Sequence, residues 1–423
     1  MAVTTTLDSI DWWLPEPEPR PVQYTVISVD DHVVEAPDMF KRWLPSHLRD
    51  RAPHVECLSW EMIPANRQSF RPAASGPKAD FWQFEDLWQG IPRGMASVGM
   101  DSSDITRAPM SFDEMRPGCY EPKARLLDMD EIGVERSLCF PNQVRFCGQV
   151  FLWMRDKELA LACVRAYNDW IVDEWCGDSG GRLLPVCLIP LWDPIAAAAE
   201  VRRNAARGVR AVAFSELPTQ LDLPSIHDRD GHWLPLFDAC DETGTVVCCH
   251  IGSSSTIATT SADAPFGVSV ALSTINSQLA LADWLMSGLF AQYKNLKLAL
   301  SESQIGWMPF MFERVDRIWR QGNTMAEIPA VLKEPPSTYT AGRLYGCFFE
   351  DTFGLQVKDS IGVDSITFEC DYPHQDSTWP NTQNYAATMM ADLDDETVYK
   401  IARGNAIRML DLPEALPSPS LSA

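Results

Sequence analysis

The run Thr25–Val29 (TVISV) leads straight into Asp30-Asp31-His32-Val33-Val34-Glu35, and this junction decides how the 423-residue chain reads. A β-branched, apolar run of this kind reads as a buried strand. At its carboxyl end stand two carboxylates and an imidazole, where a packed core would carry none. Extended backbone alternates its faces, so Asp30 and His32 are expected to point one way and Asp31 the other. Two ligand-type groups converging at a strand end point to a metal site in a parallel α/β protein. The same residues also fit a surface turn whose acids cap the next helix, so the rest of the chain has to decide.

Working outward, a Pro-rich leader (Pro15–Pro21) precedes this strand, and a short helix, Asp38–Leu44, follows it and stops at Pro45. Residues of about 51–120 mix Gly, Pro, Trp and Met irregularly and read as an insertion, because so long a loop in a compact domain is usually functional or a lid. From Glu121 the rhythm is regular. Helices are expected over Pro122–Ile132, Lys157–Trp175, Pro194–Arg207, Trp233–Thr243, Ser269–Met286, Pro309–Trp319, Gly354–Ile361 and Asp395–Leu410. Strands are expected over Arg136–Phe140, Leu183–Ile189, Val209–Phe214, Thr245–His250, Leu296–Leu300, Tyr345–Phe349 and Ser365–Glu369. With the first, that makes eight strands alternating with helices, which favours an α/β fold of the (β/α)8 TIM-type barrel over an open doubly wound sheet. The expected organisation is an N-terminal arm (1–24), a barrel (25–412) with the insertion after its first strand, and a Pro/Ser-rich tail (413–423).

The bulk numbers set limits. A net charge of −23 argues against nonspecific nucleic-acid binding and against an anionic membrane surface. The 12 cysteines are scattered without a Cys-x-x-Cys pair, a pattern of free thiols in a reducing compartment. No signal peptide and no apolar run of about 18 residues is visible, so a cytoplasmic protein is expected. No Gly-x-Gly-x-x-Gly, Walker or Gly-x-Ser-x-Gly motif is present, which disfavours nucleotide binding and serine hydrolysis.

Active sites of such barrels lie at the carboxyl ends of the strands. Those ends carry Asp30 and His32 after the first strand, Glu216 after the fourth and His250 closing the fifth. Glu302 follows the sixth, and Asp371 follows the eighth within DYPH, which also supplies His374. Nothing in the fold itself asks for acids or imidazoles at all these ends.

These motifs, VDDHVVE (29–35), LLDMDEIGV (126–134), the HIG at 250–252 and DYPHQDSTWP (371–380), together resemble the amidohydrolase superfamily. The likeness is to the branch that contains the aminocarboxymuconate-semialdehyde and γ-resorcylate decarboxylases, and it runs from about Val26 to Leu410. By position it implies metal ligands at Asp30, His32, His250 and Asp371, with Asp371 also the acid/base. The family usually has a histidine where Glu302 stands, and often a first-strand histidine where Asp30 stands. The resemblance implies hydrolysis or nonoxidative decarboxylation of a small organic acid or amide at a zinc, manganese or iron centre. It also implies a homo-oligomer, or a hetero-oligomer with a related barrel.

Adding Glu216 and Glu302 would supply oxygens for two metals, the alternative for both being to orient ligand imidazoles. That carboxylate-rich rim keeps a dinuclear iron or iron–manganese oxygenase in view, and the two replaced histidines keep a degenerate, non-catalytic subunit in view. Glu302 and His374 join Asp371 as candidate catalytic groups. Glu35 reads as a ligand partner or, preferably, a cap of the helix beginning near Pro37. His232 reads as a local cap, and His47, His54 and His227 as surface residues. Trp60, Trp82 and Trp88 read as core of the insertion before a substrate wall.

Overall fold

The computed structural model describes residues 14–18, 20–63, 70–322 and 324–416. The expected arm before Leu14 and the tail beyond Leu416 lie outside the described residues. The first strand, β1 (Val26–Val33), is followed by five others, β2 (His54–Met62), β3 (Phe70–Pro72), β4 (Lys78–Phe84), β5 (Leu87–Pro92) and β6 (Pro109–Met110). Then come the strands that alternate with helices: β7 (Val134–Pro141), β8 (Leu183–Cys187), β9 (Ala211–Phe214), β10 (Val246–His250), β11 (Lys297–Ser301), β12 (Leu344–Phe348) and β13 (Ile366–Phe368). Strand β1 and β7–β13 form one parallel sheet in sequence order. It curls into a barrel whose last seam is closed beyond β13. There the Asp371 N–H donates to the Asp30 carbonyl at 2.9 Å, and the His32 N–H to the Tyr372 carbonyl.

Strand residues are buried on both faces, as a sheet covered by helices requires. The covering helices are cut where the sequence supplies caps. Gly133, at φ 71°, ends the helix Pro122–Ile132. Asp156 caps the helix Lys157–Trp170 by accepting from the Glu158 and Leu159 N–H groups at 3.0 Å.

Several expected elements differ in detail. Strand β1 continues through Asp30–His32 instead of ending at Val29, with a register shift between Ser28 and Asp31. The helix expected over Lys157–Trp175 turns π-helical over Ile171–Trp175, and that expected over Asp395–Leu410 does so over Lys400–Gly404. The helix expected over Ser269–Met286 is two, Phe266–Ala271 and Ile275–Ser287, parted at Leu272–Thr274. Gly354–Ile361 is likewise divided, into Thr352–Gln356 and Lys358–Ile361.

The segment expected as an irregular insertion holds an antiparallel sheet, β3-β2-β4-β5-β6. Trp82 and Phe84 of β4 pack against Phe40, so this Trp joins the barrel's own core. Beyond β5 the chain is tied down over the barrel. Ser97 and Val98 N–H groups donate to the Pro373 carbonyl, the Gln375 N–H to Gly94, and Asn142 Nδ2 to Met95. The cysteines are all free and, except for Cys57, buried. Among the described residues no helix is long and apolar enough to cross a membrane.

Candidate metal centre

The alternation of β1 does what strand geometry demands. Asp30 and His32 face the barrel axis and meet, with Asp30 Oδ1 3.5 Å from His32 Nε2. Asp31 faces outward, taking the Ser137 hydroxyl and, at 2.9 Å, the Tyr372 N–H. His250 ends β10 and brings its Nε2 to 3.4 Å from Asp30 Oδ1 and 2.9 Å from His32 Nε2. Asp371 enters from beyond β13, its Oδ1 3.5 Å from His32 Nε2 and 3.0 Å from His374 Nδ1. The His374 ring stacks on His32 with centroids 3.8 Å apart.

The tautomers of the first two imidazoles follow from their outer partners. His32 Nδ1 lies 3.1 Å from the Pro141 carbonyl and His250 Nδ1 2.6 Å from the Ile251 carbonyl. A carbonyl only accepts, so each Nδ1 carries the proton and each Nε2 presents a lone pair. Two lone pairs therefore face each other across 2.9 Å, flanked by carboxylates. Neither oxygen of Asp30 nor of Asp371 has a well-formed hydrogen bond, although both residues are 0% exposed. Buried polar groups without partners are costly. Asp30, His32 and His250 form one set whose ligand atoms all lie within 4.8 Å of one another, and His32, Asp371 and His374 form another. This donor set, with its lone pairs converging and unpaired, fits a divalent cation.

Charge follows the same pattern. Burial pushes the Asp30 carboxyl well above its ordinary range, aided by the neighbouring Asp31 charge. Burial does the same to Asp371, with Glu302 and Asp30 adding repulsion. His32 is held well below its usual value by burial and by the neighbouring imidazoles, which favours the neutral ring that a cation can use. The backbone is bent to aim these groups: Asp371 and Glu302 adopt φ of 50° and 58°, a left-handed conformation that non-glycine residues avoid.

Not every expected ligand joins the cluster equally. Glu302 puts Oε2 3.8 Å from His250 Nε2, and burial raises its carboxyl to about 8. Glu216 is buried, yet its Oε1 takes the Gly252 N–H, the Ser254 hydroxyl and Asn276 Nδ2 at 3.0–3.2 Å. It belongs to none of the converging ligand sets. Glu35 does not cap the helix Met39–Trp43. It accepts the N–H groups of Asn142, Gln143 and Val144 and so pins the loop after β7. Three adjacent backbone donors of that buried loop outbid a short helix start. His232 stays local, its N–H bonded to Asp228, and His47, His54 and His227 are exposed.

Further residues at the site were not singled out from sequence. Glu369, at 0% exposure, takes the Cys347 thiol and the Glu302 N–H on Oε2 and leaves Oε1 unpaired. With Asp30 and Cys347 it makes a third converging set. The available signal was an acid closing an apolar strand two residues before Asp371. Phe146 covers His250 at a ring distance of 4.3 Å and His32 at 5.0 Å. A separate depression of about 430 Å³ opens at the amino ends of β9, β11 and β12, among Arg210, Lys297 and Arg343, far from this chemistry.

A profile of the amidohydrolase family matches residues 63–412, a span that leaves out β1 with Asp30 and His32. The fold is similar to an amidohydrolase of Mycobacterium avium subsp. paratuberculosis K-10, at 21% identity and a TM-score of 0.67, over 93% of this chain and 100% of that one. A dihydroxybenzoic acid decarboxylase of Polaromonas sp. JS666, with bound manganese and 2-nitroresorcinol, matches over 93% and 98% at 16% identity and a TM-score of 0.58. A 5-carboxyvanillate decarboxylase of Sphingomonas paucimobilis matches over 68% and 82% at 21% identity and a TM-score of 0.56. None of these relatives supports the oxygenase alternative.

Proposed function

The chain belongs to the amidohydrolase family, and we propose that it is a divalent-metal enzyme performing nonoxidative decarboxylation or hydrolysis of a small organic acid or amide. One observation carries this reading: two imidazole lone pairs held 2.9 Å apart beside unpaired buried carboxylates. Asp30, His32, His250 and Asp371 would hold the ion, and nitrogen with carboxylate oxygen suits zinc, manganese or iron. The manganese in the Polaromonas decarboxylase supports manganese first. When bound, such an ion would polarise a substrate carbonyl or phenolate, or acidify a water molecule.

The chain's own groups handle protons and orientation. Asp371 is the acid/base, at the strand end that faces the other converging groups, with its Oδ1 3.0 Å from His374 Nδ1. His374 steadies its Oδ1 at 3.0 Å and keeps an unpaired Nε2 free for the substrate. Glu302 offers a second carboxyl beside His250. Next to Phe146, the half-buried Arg145 guanidinium meets the neutral Gln89 and Ser255 side chains, both at 3.5 Å. We assign Arg145 to an acidic group of the substrate, which supports an organic acid despite the chain's net charge of −23.

In this reading residues 25–412 act as one barrel with the 51–120 insertion as its cover, flanked by an arm (1–24) and a tail (413–423). A cytoplasmic location and assembly with itself or a related barrel belong to the same reading. The test is turnover by chelator-stripped protein reloaded with manganese. Small aromatic carboxylates are followed by carbon dioxide release and small amides by hydrolysis. Metal-dependent turnover of either class is the expected result, and inactivity of metal-loaded protein on both overturns the reading.

A further inference from the structure

We propose that Tyr372 and Arg116 are positioning residues for Asp371, and that the N-terminal arm completes their chain of contacts through Glu16. The proposal rests on the assignment of Asp371 to the metal centre and deepens it.

Asp371 has to be held by its neighbours. Its backbone sits at φ 50°, in the left-handed region that a side chain makes costly. A residue persists there only where the surrounding structure over-determines it. The next residue, Tyr372, is fixed at every polar group. Its N–H donates to Asp31 Oδ1 at 2.9 Å, and its carbonyl accepts the His32 N–H. Both of those partners belong to β1. The hydroxyl is the anchor away from that strand, where it donates to Asp128 Oδ2. Room for this bond exists because residue 118 is glycine, since a Cβ there would collide with both oxygens.

Asp128 is aimed in turn by Arg116. Arg116 Nε donates to Oδ2 at 2.9 Å and Nη2 to Oδ1 at 2.8 Å, a two-pronged grip that sets the carboxylate plane. The same guanidinium lies 4.4 Å from the centroid of Trp379, in the DYPHQDSTWP segment that carries Asp371. Its outer edge is taken by Glu16 of the arm, Nη1 to Oε1 and Nη2 to Oε2, both at 2.8 Å. Arg116 is buried and Glu16 exposed, so the arm reaches inward through one guanidinium and one phenol. Further along, Arg20 donates to Asn381 Oδ1, and the Gln23 and Tyr24 N–H groups donate to Gln383 Oε1 at 2.8 and 2.9 Å. The arm therefore backs the stretch that follows Asp371. A plain latch would hold the barrel shut without touching the centre. Here the contacts end on the residue bonded to Asp371, so loosening them should let that carboxylate leave its place.

The experiment is a calorimetric titration of chelator-stripped full-length protein with manganese(II), run beside chemical denaturation. Tyr372→Phe removes only the hydroxyl and keeps the ring, and Arg116→Met keeps the length and removes the fork. Each should bind manganese about 10–100-fold more weakly than wild type, as loss of a group that orients a ligand does, with an unchanged circular dichroism spectrum. Glu16→Gln should weaken binding in the same direction and by less. Wild-type affinity in folded Tyr372→Phe and Arg116→Met, with only the unfolding midpoint lowered, overturns the proposal and leaves a latch. Weakening in Tyr372→Phe alone overturns the part given to Arg116 and the arm. A wild type that binds no manganese overturns the metal reading, and this one with it.

Discussion

On the barrel axis, Asp30, Asp371 and Glu369 each keep at least one oxygen without a hydrogen-bond partner, while on the outward side Asp31 and Glu35 have every oxygen engaged. Both groups are buried, and Asp30 and Asp31 are adjacent in sequence. The difference is what the surrounding chain provides. Outward-facing carboxylates meet backbone N–H groups and hydroxyls that were already in place to pin the seam and the loop after β7. Inward-facing ones crowd against each other and the imidazoles, with too few donors to occupy every oxygen. Burial alone therefore says little about function, and burial without a partner marks the site.

Substitutions should separate the two regions. The largest effect is expected on the axis. Asp371→Asn should lower turnover by at least about a hundredfold, as removal of a general acid/base does, while thermal unfolding stays close to wild type. Activity within a few-fold of wild type in a metal-loaded sample would erase the distinction. Asp31→Ala should do the reverse. It strips the Ser137 hydroxyl and the Tyr372 N–H of their acceptor and should cost about 2–4 kcal/mol in chemical denaturation. Metal content at saturating metal should stay unchanged.

The next effect is one of pH. Burial raises the Glu35 carboxyl from its ordinary 4.5 to about 7. Between those values the folded protein keeps a proton that the unfolded chain releases. This group's stabilisation is therefore complete below about pH 4.5 and is lost as pH rises through 7. Its slope is at most about 1.4 kcal/mol per pH unit. Denaturation of Glu35→Gln across that window should show a shallower decline, and an identical slope would mean Glu35 is ionised throughout. The smallest effect should come from Glu216→Gln, which keeps an acceptor for Gly252, Ser254 and Asn276. Manganese content should not change, and its loss would return Glu216 to the ligand set.

How much of this was legible depended on whether residue type and position spoke together. The barrel could be read because strands and helices alternate with clear caps. The converging groups Asp30, His32, His250 and Asp371 could be read because charged groups at strand ends have no structural excuse. Glu369 and Cys347 escaped notice because they complete apolar strands and look like part of them. The second sheet was hidden because much of β2 is exposed and its flanks are rich in Gly and Pro, so alternation shows clearly only in β4. The π-helical turns at Ile171–Trp175 and Lys400–Gly404 have no compositional signature. Glu35 was misplaced because its partners lie more than a hundred residues away, a relation no local pattern carries.

The most direct test of the metal centre is a calorimetric titration of chelator-stripped protein with manganese(II), comparing wild type with His32→Ala. Specific binding heat in the wild type, lost in a His32→Ala protein that remains folded, is the expected result. Equal affinity in the two proteins would contradict the site assigned here to β1, β10 and the segment beyond β13.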